Sequence, residues 1–234
     1  DKCLQLVPLF TPVAKLNDGT QYMHVQDAVY AVQGENNIIT MLSDSEEYIS
    51  IAEGKEAVLD LNGFKLSNPM TNNGSVITVR GSLTLRDNGT GKTGKVTGGN
   101  AEKGGGVNIA TGGSFTMEGG TLVKNNAING GGVYNEGSFT MTGGSITGNI
   151  ADVSGGGVYQ AGTMTVSGSG TVSGNTLKSG SEKNPVPLGT GPYLFLTDSQ
   201  GACLMRNADW WQSGPALVEY PEISITDAES TPDI

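Results

Sequence analysis

The sequence predicts an all-β chain wound into a right-handed parallel β-helix, and three observations predict it. The segments GGGVNIATGGSFTMEGGTLVKN (104–125), GGGVYNEGSFTMTGGSITGN (130–149) and GGGVYQAGTMTVSGSGTVSGN (155–175) repeat one another at about 25 residues, a solenoid period. Apolar residues recur at equivalent places: Phe115, Phe139 and Met164; Met117, Met141 and Val166; Leu122, Ile146 and Val172; Val107, Val133 and Val158. Four such rows need a common interior. Within each repeat, Phe115-Thr116-Met117 and Phe139-Thr140-Met141 alternate apolar and polar as half-buried strands do, and paired glycines stop the chain before a helix forms. Short strands ended by Gly or Asn give three flat sides per coil, each strand pairing with its counterpart one coil away at roughly 4.8 Å. Asn100, Asn125, Asn149 and Asn175 then form one turn ladder, because Asn tolerates left-handed backbone and bonds along a stack.

In chain order, residues 1–37 form a lead-in and an N-terminal cap. One strand is expected at Leu4 to Val7 and a turn at Asn17-Asp18-Gly19. Val25, Ala28, Val29 and Val32 fall at i, i+3, i+4, i+7 with Gly34 closing the pattern, which predicts a short amphipathic helix. A β-helix has an exposed core and unpaired edges at its ends, so this helix is expected over the first coil. Residues 38–175 carry the coils, clearest from 95 to 175, with earlier strands at Ile38 to Leu42, Tyr48 to Ile51, Ala57 to Leu61, Phe64 to Leu66, Val76 to Val79 and Leu83 to Leu85. The alternation places Leu59 and Leu61 inward with Asp60 outward, and Thr78 and Arg80 outward. Residues 176–234 read as a loop, a last coil with strands at Tyr193 to Leu196 and Ala202 to Met205, and a C-terminal cap, all within one domain.

The 234 residues carry a net charge of −10 and a pI near 4.5, with no basic stripe of the kind that neutralises nucleic-acid phosphates. No apolar run is long enough to cross a bilayer, so no transmembrane segment is predicted. Cys3 and Cys203 lie at opposite ends, no CxxC pair occurs and His24 is the sole imidazole, which excludes a structural zinc site. The segment Gly89-Thr90-Gly91-Lys92-Thr93-Gly94 matches a glycine-rich phosphate loop by letter, but Arg86 stands where the longer phosphate-loop pattern has Gly and no helical pattern follows; it reads as a turn.

DLNGFKL (60–66), GSLTLRD (81–87) and GGGVYNEGSFTMTGGSITGN together resemble the right-handed parallel β-helix regions of the pectin-lyase-like superfamily, over roughly residues 25 to 205. The repeat is also similar in kind to those of polymorphic autotransporter adhesins, although Phe139 is followed by Thr-Met-Thr and the Asn comes later. The resemblance implies a secreted or surface-displayed bacterial protein whose signal peptide is already removed. It implies an adhesin-like module meeting a glycan or a host or microbial surface protein through rigid side faces, or a spacer in a larger surface protein. It also implies the alternative of a polysaccharide lyase or glycoside hydrolase, whose outward carboxylates bind calcium and whose basic group takes a proton.

For an enzyme the candidates are Asp60, Asp87, Arg80 and Arg86, but the regular coils add only Glu118, Glu136 and Asp152 and show no carboxylate cluster. No catalytic residue is therefore assigned, no resident metal is expected, and calcium stays open as a cofactor. For a binder, Tyr134 and Tyr159 occupy one outward slot in consecutive coils and are expected as a sugar-stacking platform, with Trp210 and Trp211 as a second aromatic pair. Ser82/Thr84, Ser114/Thr116, Ser138/Thr140 and Thr163/Thr165 make two outward hydroxyl ladders. Serine interrupts the Thr-x-Thr lattice an ice-binding face needs, so the β-propensity of Thr accounts for them.

Overall fold

The computed structural model describes residues 11–35, 37–69 and 73–178, together with three strands beyond them. It opens with a hairpin, β1 (Ala14–Leu16) and β2 (Gln21–Tyr22), and the helix α1 (Val25–Ala31) that the spacing predicts. Val25, Ala28 and Val29 face the interior, and α1 packs on the hairpin and the first coil. Both ends of this short helix are satisfied by side chains, from Glu47 in the first coil and from Lys55 in the turn that leads into the second. The Glu47 carboxylate accepts the N–H groups of Val25 (2.8 Å) and Gln26 (3.0 Å), and Lys55 Nζ donates to the carbonyls of Tyr30 (3.0 Å) and Val32 (2.9 Å). Anion and cation thus sit where the helix dipole favours them.

The first coil is β3 (Ile38–Met41), β4 (Ser45–Glu46) and β5 (Ile49–Ile51), and the second is β6 (Glu56–Asp60), β7 (Lys65–Ser67) and β8 (Ile77–Val79). These two have the three sides expected. From the third coil a fourth strand appears, a difference from the sequence reading. The third runs β9 (Ser82–Arg86), β10 (Lys95–Thr97), β11 (Asn100–Lys103) and β12 (Val107–Ile109). The fourth is β13 (Ser114–Met117), β14 (Thr121–Val123), β15 (Asn126–Asn129) and β16 (Val133–Asn135); the fifth is β17 (Ser138–Met141), β18 (Ser145–Thr147), β19 (Ile150–Ser154) and β20 (Val158–Gln160). A sixth coil begins with β21 (Thr163–Val166), β22 (Thr171–Ser173) and β23 (Thr176–Leu177). The extra side arises because a left-handed Gly or Lys at the corner (Gly98, Lys124, Gly148, Gly174) turns the chain before the triple glycine turns it again.

Stacking is parallel throughout the coils. Strands β3, β6, β9, β13, β17 and β21 form the first sheet, to which the hairpin adds antiparallel through β1 on β3; β4, β7, β10, β14, β18 and β22 form the second, β11, β15, β19 and β23 the third, and β5, β8, β12, β16 and β20 the fourth. The four apolar rows are in register and line the interior, where Phe115 and Phe139 stack at 5.4 Å. Phe115, Phe139, Met117, Met141, Leu122 and Ile146 are fully buried; Met164 and Val166 on β21 are only partly so. At the triple-glycine corner the backbones of successive coils touch, and a Cβ on Gly131 would overlap the carbonyls of Ile150 and Gly156. Glycine is needed there for close approach.

Asn125, Asn149 and Asn175 form the expected ladder: Asn125 Nδ2 donates to Asn149 Oδ1 (3.0 Å) and Asn149 Nδ2 to Asn175 Oδ1 (2.9 Å). Asn100 does not join it. It is exposed and pairs with Asn126, one residue further on, while Gly99 N–H takes the ladder position and donates to Asn125 Oδ1 (3.0 Å). Of the two strands read from sequence as a last coil, Gly201–Arg206 instead pairs antiparallel with Tyr193–Asp198 on one side and with Ile223–Ile225 on the other. The expected strand at Leu4 to Val7, Cys3, Trp210 and Trp211 lie outside the described residues.

Candidate functional site

The two candidate acids sit where the chain turns from the first sheet to the second. Asp60 ends β6, and although its side chain points away from the core it is only 5% exposed, because the turn of the next coil folds over it. Its Oδ1 accepts the N–H groups of Asn62 and Asn88 (both 3.0 Å), and its Oδ2 accepts Asn88 Nδ2 (2.8 Å) and Arg86 Nε (3.2 Å). Asp87, 4% exposed, is engaged likewise: Oδ1 accepts the N–H of Gly63 (2.7 Å) and Gly89 (3.4 Å), and Oδ2 that of Gly94 (2.7 Å). These bonds cross between coils and satisfy backbone groups that the turns withdraw from the ladder. The expectation of solvent-facing acids is thus corrected. Asp60 accepts four N–H bonds and Asp87 three, and both carboxylates are engaged in holding the turns. Arg86 is spent on Asp60, and Arg80 is exposed with Nη1 donating to Ser50 Oγ (3.1 Å). The 89–94 segment is the turn predicted, held by Asp87 and followed by strand β10.

Tyr134 and Tyr159 are in register on the outer face of the fourth sheet and stack at 4.7 Å with 4° between their planes. Rings stacked along the coil axis spend their faces on each other and turn their edges outward. Tyr134 is 7% exposed: Tyr159 from the following coil covers one face and Lys103 from the preceding coil lies over the other, with Nζ 4.7 Å from the ring centre. An exposed two-ring platform is therefore not what the structure holds; Tyr159 alone keeps a face without an aromatic neighbour among the described residues.

Around Tyr134 a cluster forms that sequence reasoning missed. Lys103 Nζ (2.8 Å) and Tyr134 Oη (3.0 Å) both donate to Glu136 Oε1. The hydrogen bond to Glu136, then that to the Tyr134 hydroxyl, raises Lys103 well above an ordinary lysine. The Lys103 hydrogen bond holds Glu136 below the usual carboxylate range, and burial pushes Tyr134 up. A charged pair locked this way is structural, not a poised acid or base. Its signal lay in the repeat: Glu136 follows Tyr134 by two, the same strand face, and Lys103 stands where later coils have Asn129 and Ser154.

Among the described residues one concave feature is a polar groove of about 400 Å³ at the corner between the first and second sheets. Its wall is the 87–94 excursion, with Asn88 and Lys92; its floor is Gly119, Gly120 and Gly144; Glu118, Thr121, Ser145 and Ser169 face it from successive coils. The floor has to be glycine, since a Cβ on Gly144 would lie 2.7 Å from Met117 Cε and 2.8 Å from Gly120 O. The groove therefore spans four coils, with one hydroxyl or amide offered per step. Among the described residues no group of His, Cys, Asp or Glu could hold a metal, and no helix is long and apolar enough to cross a membrane.

No protein-family model, no curated protein and no solved structure matches this chain.

Proposed function

We propose that this chain is a non-catalytic, extracellular or surface-displayed bacterial β-helix module of adhesin type, holding a glycan along its side. The observation that carries the reading is the state of Asp60 and Asp87. The two acids best placed for lyase or hydrolase chemistry are bonded to backbone N–H groups and sealed under turns, while the adjacent groove presents the Asn88 amide and the hydroxyls of Thr121, Ser145 and Ser169 on successive coils, beside the charged Lys92 and Glu118. A rigid series of that kind suits a linear polyhydroxylated chain, which presents a hydroxyl at every step. A surface protein is the other partner such a face accepts.

The test is a glycan array on the purified chain with and without calcium, with glycan chain lengths measured after incubation. Binding to intact glycans that weakens in Asn88→Ala and Ser145→Ala supports the module. Shortened glycans overturn it in favour of a lyase or hydrolase, and silence on every glycan overturns it in favour of a protein partner or a spacer.

A further inference from the structure

A single glycine row runs under the groove, and in one coil its donor is already filled. Gly94, Gly120 and Gly144 stand one above another just before the second sheet, since Thr121, Ser145 and Thr171 donate in turn to their carbonyls. In the third coil the Gly94 N–H donates to Asp87 Oδ2 at 2.7 Å. The fourth and fifth coils replace the 87–94 excursion with tight turns, in which Gly120 and Gly144 take φ of 80° and 79°, and no carboxylate comes with them. Both glycines are half-buried on the groove floor, and among the described residues neither N–H has an acceptor. Two donors one coil step apart are therefore left for whatever enters the groove.

Asp87 shows which kind of atom suits such a pair. Its other oxygen, Oδ1, accepts glycine N–H groups from two adjacent coils, Gly63 at 2.7 Å and Gly89 at 3.4 Å. Coils lie about 4.8 Å apart, so one oxygen at about 2.9 Å from each nitrogen can bridge Gly120 and Gly144 in the same way. A carbonyl oxygen has two lone pairs for this and no hydrogen of its own to place, unlike a hydroxyl lodged between two donors. A carboxylate entering from outside is disfavoured. Glu118 faces the groove with no side-chain partner among the described residues and Asp87 lies beneath, while Arg86 is bound to Asp60 and only Lys92 offsets them. A neutral amide meets both needs, its oxygen taking the glycine N–H groups and its own N–H donating to Glu118.

We propose that the groove recognises the acetamido group of an N-acetylated amino-sugar chain, with the carbonyl oxygen held between the N–H groups of Gly120 and Gly144. This rests on the glycan-binding reading above and names the sugar chemistry. The bare glycine floor lets the acetamido group reach the backbone, and Thr121, Ser145 and Ser169 meet the ring hydroxyls on either side of it.

The full chain, isotope-labelled at its glycine nitrogens, is titrated with three tetrasaccharides of one linkage, built of N-acetylglucosamine, glucosamine and glucose, and followed by NMR. The N-acetylated tetramer is expected to bind at least about tenfold more tightly than either of the others, as the loss of a carbonyl shared by two donors implies. Its affinity should not fall at raised salt, because the ligand is neutral. On binding, the N–H signals of Gly120 and Gly144 should move downfield together, while that of Gly94, already bonded to Asp87, stays in place. Glu118→Ala, at an exposed position where an unchanged melting curve checks the fold, should weaken the N-acetylated tetramer about fivefold and the glucose tetramer not at all. Equal or tighter binding of the glucose or glucosamine tetramer overturns the proposal, as does tight binding that leaves Gly120 and Gly144 unmoved or full affinity in Glu118→Ala. Each of these leaves the glycan-binding module standing if other saccharides of the array bind; if none of the array binds, both readings fall.

Discussion

The same corner of the β-helix, between the first and second sheets, is built by two chemistries. In the second and third coils it is a long turn stapled by buried carboxylates, Asp60 and Asp87, whose oxygens collect N–H groups from their own turn and from the neighbouring coil. In the fourth and fifth coils it is a tight glycine pair, Gly119-Gly120 and Gly143-Gly144, which bonds coil to coil and needs no side chain. The order in the later coils comes instead from the opposite corner of the second sheet, where Asn125 and Asn149 bond along the axis. Longer turns pull more backbone out of the ladder and need side-chain acceptors; shorter ones do not. Asp60 and Asp87 sit where the backbone needs acceptors, which is why two acids that stand out in sequence are buried in the turns in space.

The later coils should break most severely through their core. Phe139→Asp puts a charge without a partner at a fully buried position between Phe115 and Met164, at a cost of about 4 kcal/mol or more. We expect loss of the cooperative melt followed by circular dichroism; an unchanged melt would contradict the inward assignment. Next come the two corners themselves. Asn149→Ala strips partners from Asn125, Leu122 O and Asn175, and Asp87→Asn turns an NH₂ group toward the N–H of Gly94 or Gly63. Each should cost about 2 kcal/mol, because buried donors or acceptors are left unmet. Their effects should separate under hydrogen exchange: Asn149→Ala loosening amides of 122–150, Asp87→Asn those of 61–94. Coincident patterns would mean that the two corners are not independent.

The coils were legible because their signal is redundant. Phe115, Phe139 and Met164 occupy one place three times over, so a row is visible without knowing any contact. The fourth side was not legible, since Lys124-Asn125 reads as a turn whether or not Asn126 to Asn129 then pair as a strand of their own. Asn100 was misplaced by one residue for a related reason: an Asn stood near the ladder position, and only strand register tells Gly99 from it. For the candidate site, alternation placed Asp60 and Tyr134 off the core, but off the core is not exposed. What buried them came from other coils, the 86–88 turn over Asp60 and Lys103 over Tyr134, and a period-2 pattern carries no information about either.

Lys124→Gly sharpens the contrast between repeat and exception. It relieves left-handed strain of about 1 kcal/mol and gives part of that back through a more flexible unfolded chain, for a net gain of about 0.5 kcal/mol. Gly148→Ala, in the next coil of the same row at φ 62°, should move the melting temperature the other way. If both substitutions lower it, the row is not strained at Lys124.

The smallest expected effect is in pH, and it tests whether the Lys103–Tyr134–Glu136 cluster belongs with the structural corners. Glu136 titrates lower in the folded chain than the ordinary 4.5, chiefly through its bond from Lys103, so its contribution is present above that value and is lost as pH falls through the depressed one. Lys103 is raised above 10.5 by its bond to Glu136, and Tyr134 above 10.0 by burial, so their contributions are complete below about pH 10 and are lost as pH climbs further. The melting temperature should therefore be flat between about pH 5 and 9.5 as far as this cluster goes, with a shallow fall at each side. Because Lys103 and Glu136 are half open to water, the falls are small and salt weakens them. In Glu136→Gln the Lys103 bond loses its anion and the upward shift of Lys103 shrinks, so the acid-side fall and the alkaline fall should both become smaller. Acid-side and alkaline limbs identical to those of the parent chain would show that the stacked tyrosines hold this face without the ion pair.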